Sequence, residues 1–350
     1  MRSRNRYRYY DKFDTKGDAE LEKYVFSGSL TNEMHDRLLA MPDFEPLDIL
    51  VTQLDRSSCT KTIQWKHEGF CRWFFVDSGA FSIHTGNAKL PGWNKPEPPT
   101  FRDWEDAYIE YINSVDDDID VFAQLDTIPG KFNQPKTPED YAESAKKSWE
   151  NFLYMRSKVK SPNKCMPVFH YGESFDALKH MLEWRDEDGE PLNYVGISPA
   201  NDVPQQDKNI YLQNVANVIA ASSNPNVKTH LYGMTSLDSL SKYPCYSADS
   251  ISHRLVAAYA KVLSTNFGII SVSKNPRTSA TKSNMSFLDT CDDYNYNMLK
   301  KEVEDLGFTI EQIQESSAIR VVMNMHNIQK LIKTKYAYKP DRVKKQKSLF

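Results

Sequence analysis

Residues 73–79 read WFFVDSG, four apolar residues that end on an acid, a hydroxyl and a glycine. A strand with one face in water alternates apolar and polar residues, whereas an unbroken apolar run suits a parallel strand covered on both faces. The theme recurs at 48–52 (DILVT), 121–126 (VFAQLD), 166–171 (MPVFHY), 194–198 (YVGIS), 228–233 (KTHLYG), 245–250 (CYSADS) and 268–273 (GIISVS), which with 73–79 makes eight runs. Helical patterns fill intervals at 102–114, 137–159, 174–184, 208–222 and 251–264; Thr137-Pro138-Glu139-Asp140 reads as an N-cap, a proline at the first helical position and early acids. Eight strands alternating with helices over about 230 residues have the rhythm of an α/β protein of the (β/α)8 TIM-barrel type, typically about 250 residues. A doubly wound sheet is the rival, but it usually carries a glycine-rich phosphate turn, and neither GxGxxG nor GxxxxGK[ST] occurs.

The expected organisation is a basic lead-in over 1–46, a barrel over 47–290, and a C-terminal helical appendage with a basic tail over 291–350, with helices at 293–305 and 319–333. The chain of 350 residues, 40% hydrophobic and 12% aromatic, has apolar material for a core of this size. Its mean hydropathy of −0.62 and the lack of a long apolar run exclude a membrane-spanning helix. The opening MRSRNRYRYYDK has no signal-peptide segment, so a cytoplasmic location is expected, in the host if a phage encodes the chain. Five scattered cysteines (59, 71, 165, 245 and 291) without a CxxC suit reduced thiols and offer no zinc knuckle.

The net charge of −3 is unevenly spread: residues 1–10 carry +4 and residues 330–350 carry +7, leaving −14 between them. Basic ends on an acidic body are either solvated tails or arms for a polyanion, since lysine and arginine displace counterions from phosphates. Candidate phosphate contacts are Lys274, Arg277 and Lys282 after the last strand, and Lys344 and Lys345 in the tail. Pro/Gly-rich 84–100 (HTGNAKLPGWNKPEPPT) is long enough for a binding loop.

Working residues of such barrels stand at the C-terminal ends of strands. There the chain has Asp77, Ser78 and Gly79; Asp126; His170, Tyr171 and Gly172; Gly196 and Ile197; Tyr232 and Gly233; and Asp249. Three carboxylates at one mouth suit nucleophile and acid/base roles at an anomeric carbon, or a divalent cation. Phe81 is either a stacking surface or a core aromatic.

These strand ends resemble, in order and at comparable spacing over about 48–275, the tRNA-guanine transglycosylases and their DNA-acting relatives. FFVDSGAFS is similar to the motif whose aspartate is the general acid/base and whose aromatic ring stacks on the base, which implies those roles for Asp77 and Phe81. VFAQLDTIP resembles the strand whose aspartate reads the guanine edge, here Asp126. MPVFHYGES resembles a strand bearing a glutamine and two glycines, with His170 and Tyr171 substituted and Gly172 kept. YVGIS implies that backbone groups of Gly196 and Ile197 hold the base. THLYG has Tyr232 for a methionine before Gly233, and CYSADSIS puts Asp249 at the nucleophile. The tRNA enzymes' zinc site of three cysteines and a histidine has no counterpart beyond Cys291 and distant His326, so no metal or cofactor is expected. Asp-Ser-Gly-Ala-Phe and Ser-Ala-Asp-Ser look closer to phage and bacterial enzymes that insert 7-deazaguanines into DNA. The resemblance therefore implies DNA and a free 7-deazaguanine base as partners, with tRNA as the runner-up. A carboxylate- or metal-dependent barrel hydrolase and a nucleic-acid-binding protein that works through its basic ends are the remaining alternatives.

Overall fold

The computed structural model describes residues 21–200, 203–234, 240, 243, 245–274 and 286–337, with side chains to residue 333. The chain divides into two compact units: 1–28 with 46–250, and 29–45 with 251–350.

The first unit is the barrel. Its strands are β1 (Lys23–Ser27), β2 (Leu47–Thr52), β3 (Cys71–Asp77), β4 (Val121–Ala123), β5 (Cys165–Met166), β6 (Val168–His170), β7 (Tyr194–Ser198), β8 (Lys228–Leu231) and β9 (Ser247–Ser250). They form one sheet in the order β5-β4-β3-β2-β1-β9-β8-β7-β6, with every pairing parallel. β5 and β6 are one stave interrupted at Pro167, which has no N–H to donate but whose carbonyl accepts from Gly196 N at 2.8 Å. The nine strands thus make eight staves of an α/β, TIM-like barrel.

The ring is displaced by one strand from the sequence expectation. KYVFS at 23–27, placed in the lead-in, is β1 and bonds to both β2 (Val25↔Asp48) and β9 (Val25↔Asp249). GIISVS, expected as the eighth stave, contributes instead to β11 (Gly268–Ser271), which among the described residues pairs only with β10 (Lys261–Ser264), in an antiparallel hairpin of the second unit. The helix expected over 251–264 stops at Ala258 for the same reason. Ala260 takes φ 51°, and the chain then turns back through Asn266-Phe267-Gly268 with Gly268 at φ 70°, a turn signal that a short apolar run does not reveal.

Helices follow the strands where periodicity places them. Pro138–Arg156 starts with the expected Thr137/Asp140 capping box and Pro138 in its first turn. Phe101–Ser114, Phe175–Glu183 and Gln205–Ala221 match their predicted stretches within a few residues. Inside the barrel, Val25, Leu50, Trp73, Phe75, Val121, Ala123, Met166 and Tyr194 form a buried cluster. Side chains alternate along a strand, so two residues beyond Val25 and Phe75 come Ser27 and Asp77, on the inner side at the C-terminal rim.

The second unit holds helix Asn32–Leu39, the β10–β11 hairpin and helices Asp293–Asp305, Ile310–Glu315 and Ser317–Ala337. Arg320 is buried and donates to the carbonyls of Ala257 (2.9 Å) and Ile313 (2.9 Å), and Asn324 bridges Leu263 N (2.7 Å) and His253 O (3.0 Å). No described helix is long and apolar enough to cross a membrane.

Candidate active site at the barrel mouth

Asp249 is the penultimate residue of the last stave, 8% exposed, and its two oxygens are held from three sides. Oδ1 accepts from Gly233 N at 2.9 Å and from His230 Nε2 at 3.3 Å, while Oδ2 accepts from Ser27 Oγ. Burial alone would raise its pKa. Donation from His230, Ser27 and Gly233 overcomes that and holds the carboxyl below the usual carboxylate range.

Asp77 has the opposite environment. Burial, together with repulsion from Asp126 and Asp249, pushes its pKa up to about 7 against donation from the backbone N–H groups of Gly79 and Ser78. The turn that places it needs glycine at 79: φ is 76°, and a Cβ would lie 2.6 Å from Leu54 Cδ1 and 2.8 Å from Thr52 Oγ1. Ser78 is buried and serves the turn, its Oγ accepting from Ala80 N and its carbonyl from Gln53 Nε2.

Asp126 and His170 meet directly. His170 Nε2 is 2.7 Å from Asp126 Oδ2, and Nδ1 is 3.0 Å from Glu173 Oε1. Glu173 also accepts from His170 N (3.1 Å) and Ser144 Oγ (3.3 Å). Burial works against the charged ring, but its hydrogen bonds to the two carboxylates outweigh it and raise the pKa to about 10. At neutral pH this is an imidazolium between two anions, with both N–H groups engaged. Glu173→Gln removes one anion, so the native pKa of His170 falls toward its unfolded value near 6.5. A raised histidine pKa gives stability that is complete below 6.5 and lost as pH rises through 10; the variant should lose its share at lower pH. The expected result is a one-to-two-unit drop in the His170 titration by NMR, with a stability loss at pH 8 of about 2 kcal/mol by denaturant unfolding.

Tyr232 stands among Asp77, Asp126 and Asp249, whose fields, with burial, raise its pKa well above 10. Its ring meets His230 edge-on at 4.6 Å, and its buried hydroxyl has no hydrogen-bond partner among the described residues. Gly196 makes room for it, since a Cβ there would lie 2.8 Å from Tyr232 Cε2. The backbone at this point is already committed: Gly196 N donates to Pro167 O, and Ile197 O accepts from Tyr232 N at 3.0 Å. These two groups take part in the barrel's own ladder, and the Ile197 side chain is fully buried in the core.

Phe81 is 63% exposed on the short helix Ala80–His84, edge-to-face with Phe132 at 6.3 Å; Phe132 is 48% exposed and also meets His84 at 6.5 Å. Tyr171 packs on Tyr211 at 5.3 Å, and Gly172 lies in the turn beneath the Tyr141 ring. Lys274 is paired with Glu315 at 2.6 Å, and Arg277, Lys282, Lys344 and Lys345 lie outside the described residues. Among the described residues, no group of three or more His, Cys, Asp or Glu side chains is arranged to hold a metal ion.

The structure therefore brings Asp77, Asp126, His170, Tyr232, Gly233 and Asp249 to one end of the barrel. Sequence reading missed Ser27, His230 and Phe132, and it placed Glu173 at the strand end without its contact to the His170 ring. His230 was recoverable, because it lies two residues before Tyr232 on the inner side of a strand. Ser27 was not recoverable without recognising β1.

No protein-family model matches the chain, and no curated protein matches it. Matching chains exist among solved structures; one, a GH10 endoxylanase retrieved from sugarcane soil metagenome, is 12% identical with a TM-score of 0.38 over 90% of this chain and 84% of that one.

Proposed function

We propose that the protein exchanges guanine in DNA for a free 7-deazaguanine base of the preQ0 kind through a covalent aspartyl-glycosyl intermediate. The observation that carries this reading is the opposed ionisation of two carboxylates at the mouth, Asp249 held as an anion and Asp77 poised near pH 7. Double displacement at an anomeric carbon needs that pair: one permanent anion to attack and one group that gives and then takes a proton.

The target nucleotide is flipped out of the stack, because C1′ is inaccessible within a duplex. An oxygen of Asp249 bonds to C1′ as the C1′–N9 bond breaks, its electron pair leaving with guanine, which takes the proton of Asp77. Asp77, now an anion, takes a proton from the incoming base, whose nitrogen attacks C1′ and returns the ester's electron pair to Asp249. Two inversions retain the anomeric configuration. Asp126, fixed through Oδ2 by His170, faces the N–H edge of the base, and exposed Phe81 with Phe132 offers an aromatic surface for stacking.

The test is mass spectrometry of nucleosides from DNA and tRNA incubated separately with the protein and candidate 7-deazaguanines. The expected product is a 7-deazaguanine deoxynucleoside with stoichiometric release of guanine. Incorporation into tRNA alone would reassign the substrate. Guanine release without incorporation would make the protein a hydrolase, and no reaction with either polymer would overturn the reading.

A further inference from the structure

Behind Asp249 the barrel interior holds polar side chains that the displacement steps do not use. The Tyr194 hydroxyl is hydrogen-bonded to Ser247 Oγ, Ser247 Oγ lies 2.6 Å from His230 Nδ1, and His230 Nε2 lies 3.3 Å from Asp249 Oδ1. Ser247 and His230 are 0% exposed and Tyr194 is 7% exposed. The His230 ring is wedged edge-on between Phe75 at 4.8 Å and Tyr232 at 4.6 Å, which fixes its plane. A phenol, a hydroxyl and an imidazole in the inner layer of a barrel carry a desolvation cost that apolar residues of the same volume would not, and here their mutual hydrogen bonds offset it.

Their order gives the row a direction. The Asp249 carboxylate only accepts, so His230 Nε2 carries the proton that faces it. In the neutral tautomer with a bare Nδ1, that nitrogen accepts from the Ser247 O–H, and Ser247 in turn accepts from the Tyr194 O–H. In that tautomer every hydrogen in the row points toward Asp249, and each bond polarises the next.

We propose that Tyr194, Ser247 and His230 are positioning residues, a one-way chain of hydrogen-bond donors that orients Asp249 and stabilises its anion with dipoles instead of an opposite charge. The role in exchange rests on the base-exchange reading above. When Asp249 is esterified to C1′ its negative charge disappears. A cation packed against it would then be left without a counterion, whereas a neutral donor chain loses only one hydrogen bond and opposes the intermediate less.

The test combines a spectrum with a variant series on the full chain. The imidazole 15N spectrum of His230 is expected to show a protonated Nε2 and a bare Nδ1; two protonated nitrogens would overturn the donor direction. In single-turnover capture of the DNA adduct, His230→Leu is expected to slow adduct formation about 100- to 1,000-fold with the KM of the free base unchanged. His230→Gln, which keeps an N–H toward Asp249, should recover to within about tenfold of wild type, with smaller losses for Ser247→Ala and Tyr194→Phe. Wild-type capture rates in His230→Leu, or equal losses in the leucine and glutamine variants, would overturn the positioning role. If wild type captures no nucleic acid, the base-exchange reading fails instead, and the nitrogen spectrum still decides the chain's direction.

Discussion

Asp249→Asn is expected to lower base exchange by at least about 10,000-fold and to remove the covalent adduct, because an amide oxygen is too weak a nucleophile to displace a purine. The fold should survive. The amide oxygen still accepts from Gly233 N and His230, and the new NH2 faces Ser27, whose hydroxyl can rotate to accept. The measurement is denaturing electrophoresis of a labelled oligonucleotide incubated without an incoming base, beside a melting curve. Adduct of wild-type yield in a folded variant would remove Asp249 from its role.

Asp77→Asn should act twice. Exchange falls about 100- to 10,000-fold, the usual contribution of a positioned acid/base, while the adduct can still form slowly from substrates with good leaving groups. Stability moves the other way. A carboxyl whose pKa is about 7 when folded and 3.8 when unfolded binds protons more tightly in the native state. Wild-type stability therefore falls as pH rises from 4 to 7 and is level above that. Asparagine has no charge to bury, so the variant's advantage should be absent at pH 3.5, grow through this window and reach on the order of 2–4 kcal/mol by pH 8. Denaturant unfolding at these pH values reads it directly; an advantage of equal size at every pH would mean that Asp77 is not the titrating group. A site residue whose removal stabilises the protein is the usual trade of stability for function.

The eightfold rhythm of apolar runs identified the barrel, and strand ends identified Asp77, Asp126 and Asp249, because a run buried on both faces leaves polar residues only where the strand emerges. The ring's starting point was not legible. KYVFS has the length and β-branched character of a stave, but so does GIISVS, and periodicity does not say whether a short run pairs in parallel with distant strands or folds back on its neighbour. That displacement hid Ser27. It left Asp77 and Asp249 untouched, since both lie on staves that were correctly recognised. Ionisation was also beyond the sequence: nothing in SADS or VDSG shows that one carboxyl meets three donors while the other meets two like charges. Glu173 follows His170 by three residues in HYGE, yet only the turn after β6 brings the acid back onto the ring.

The Ser27–Asp249 hydrogen bond joins residues 222 positions apart, from the first stave to the last. β1 precedes its partner β9 by almost the whole barrel, so the Ser27 hydrogen bond to Asp249 forms only when the ring closes, whereas the bonds from Gly233 and His230 need only β8 and β9. On the proposed base-exchange reading, the full donor set of Asp249 is therefore complete only in a closed barrel. A truncated chain that ends before Ser247 lacks Asp249 as well as the closing stave β9.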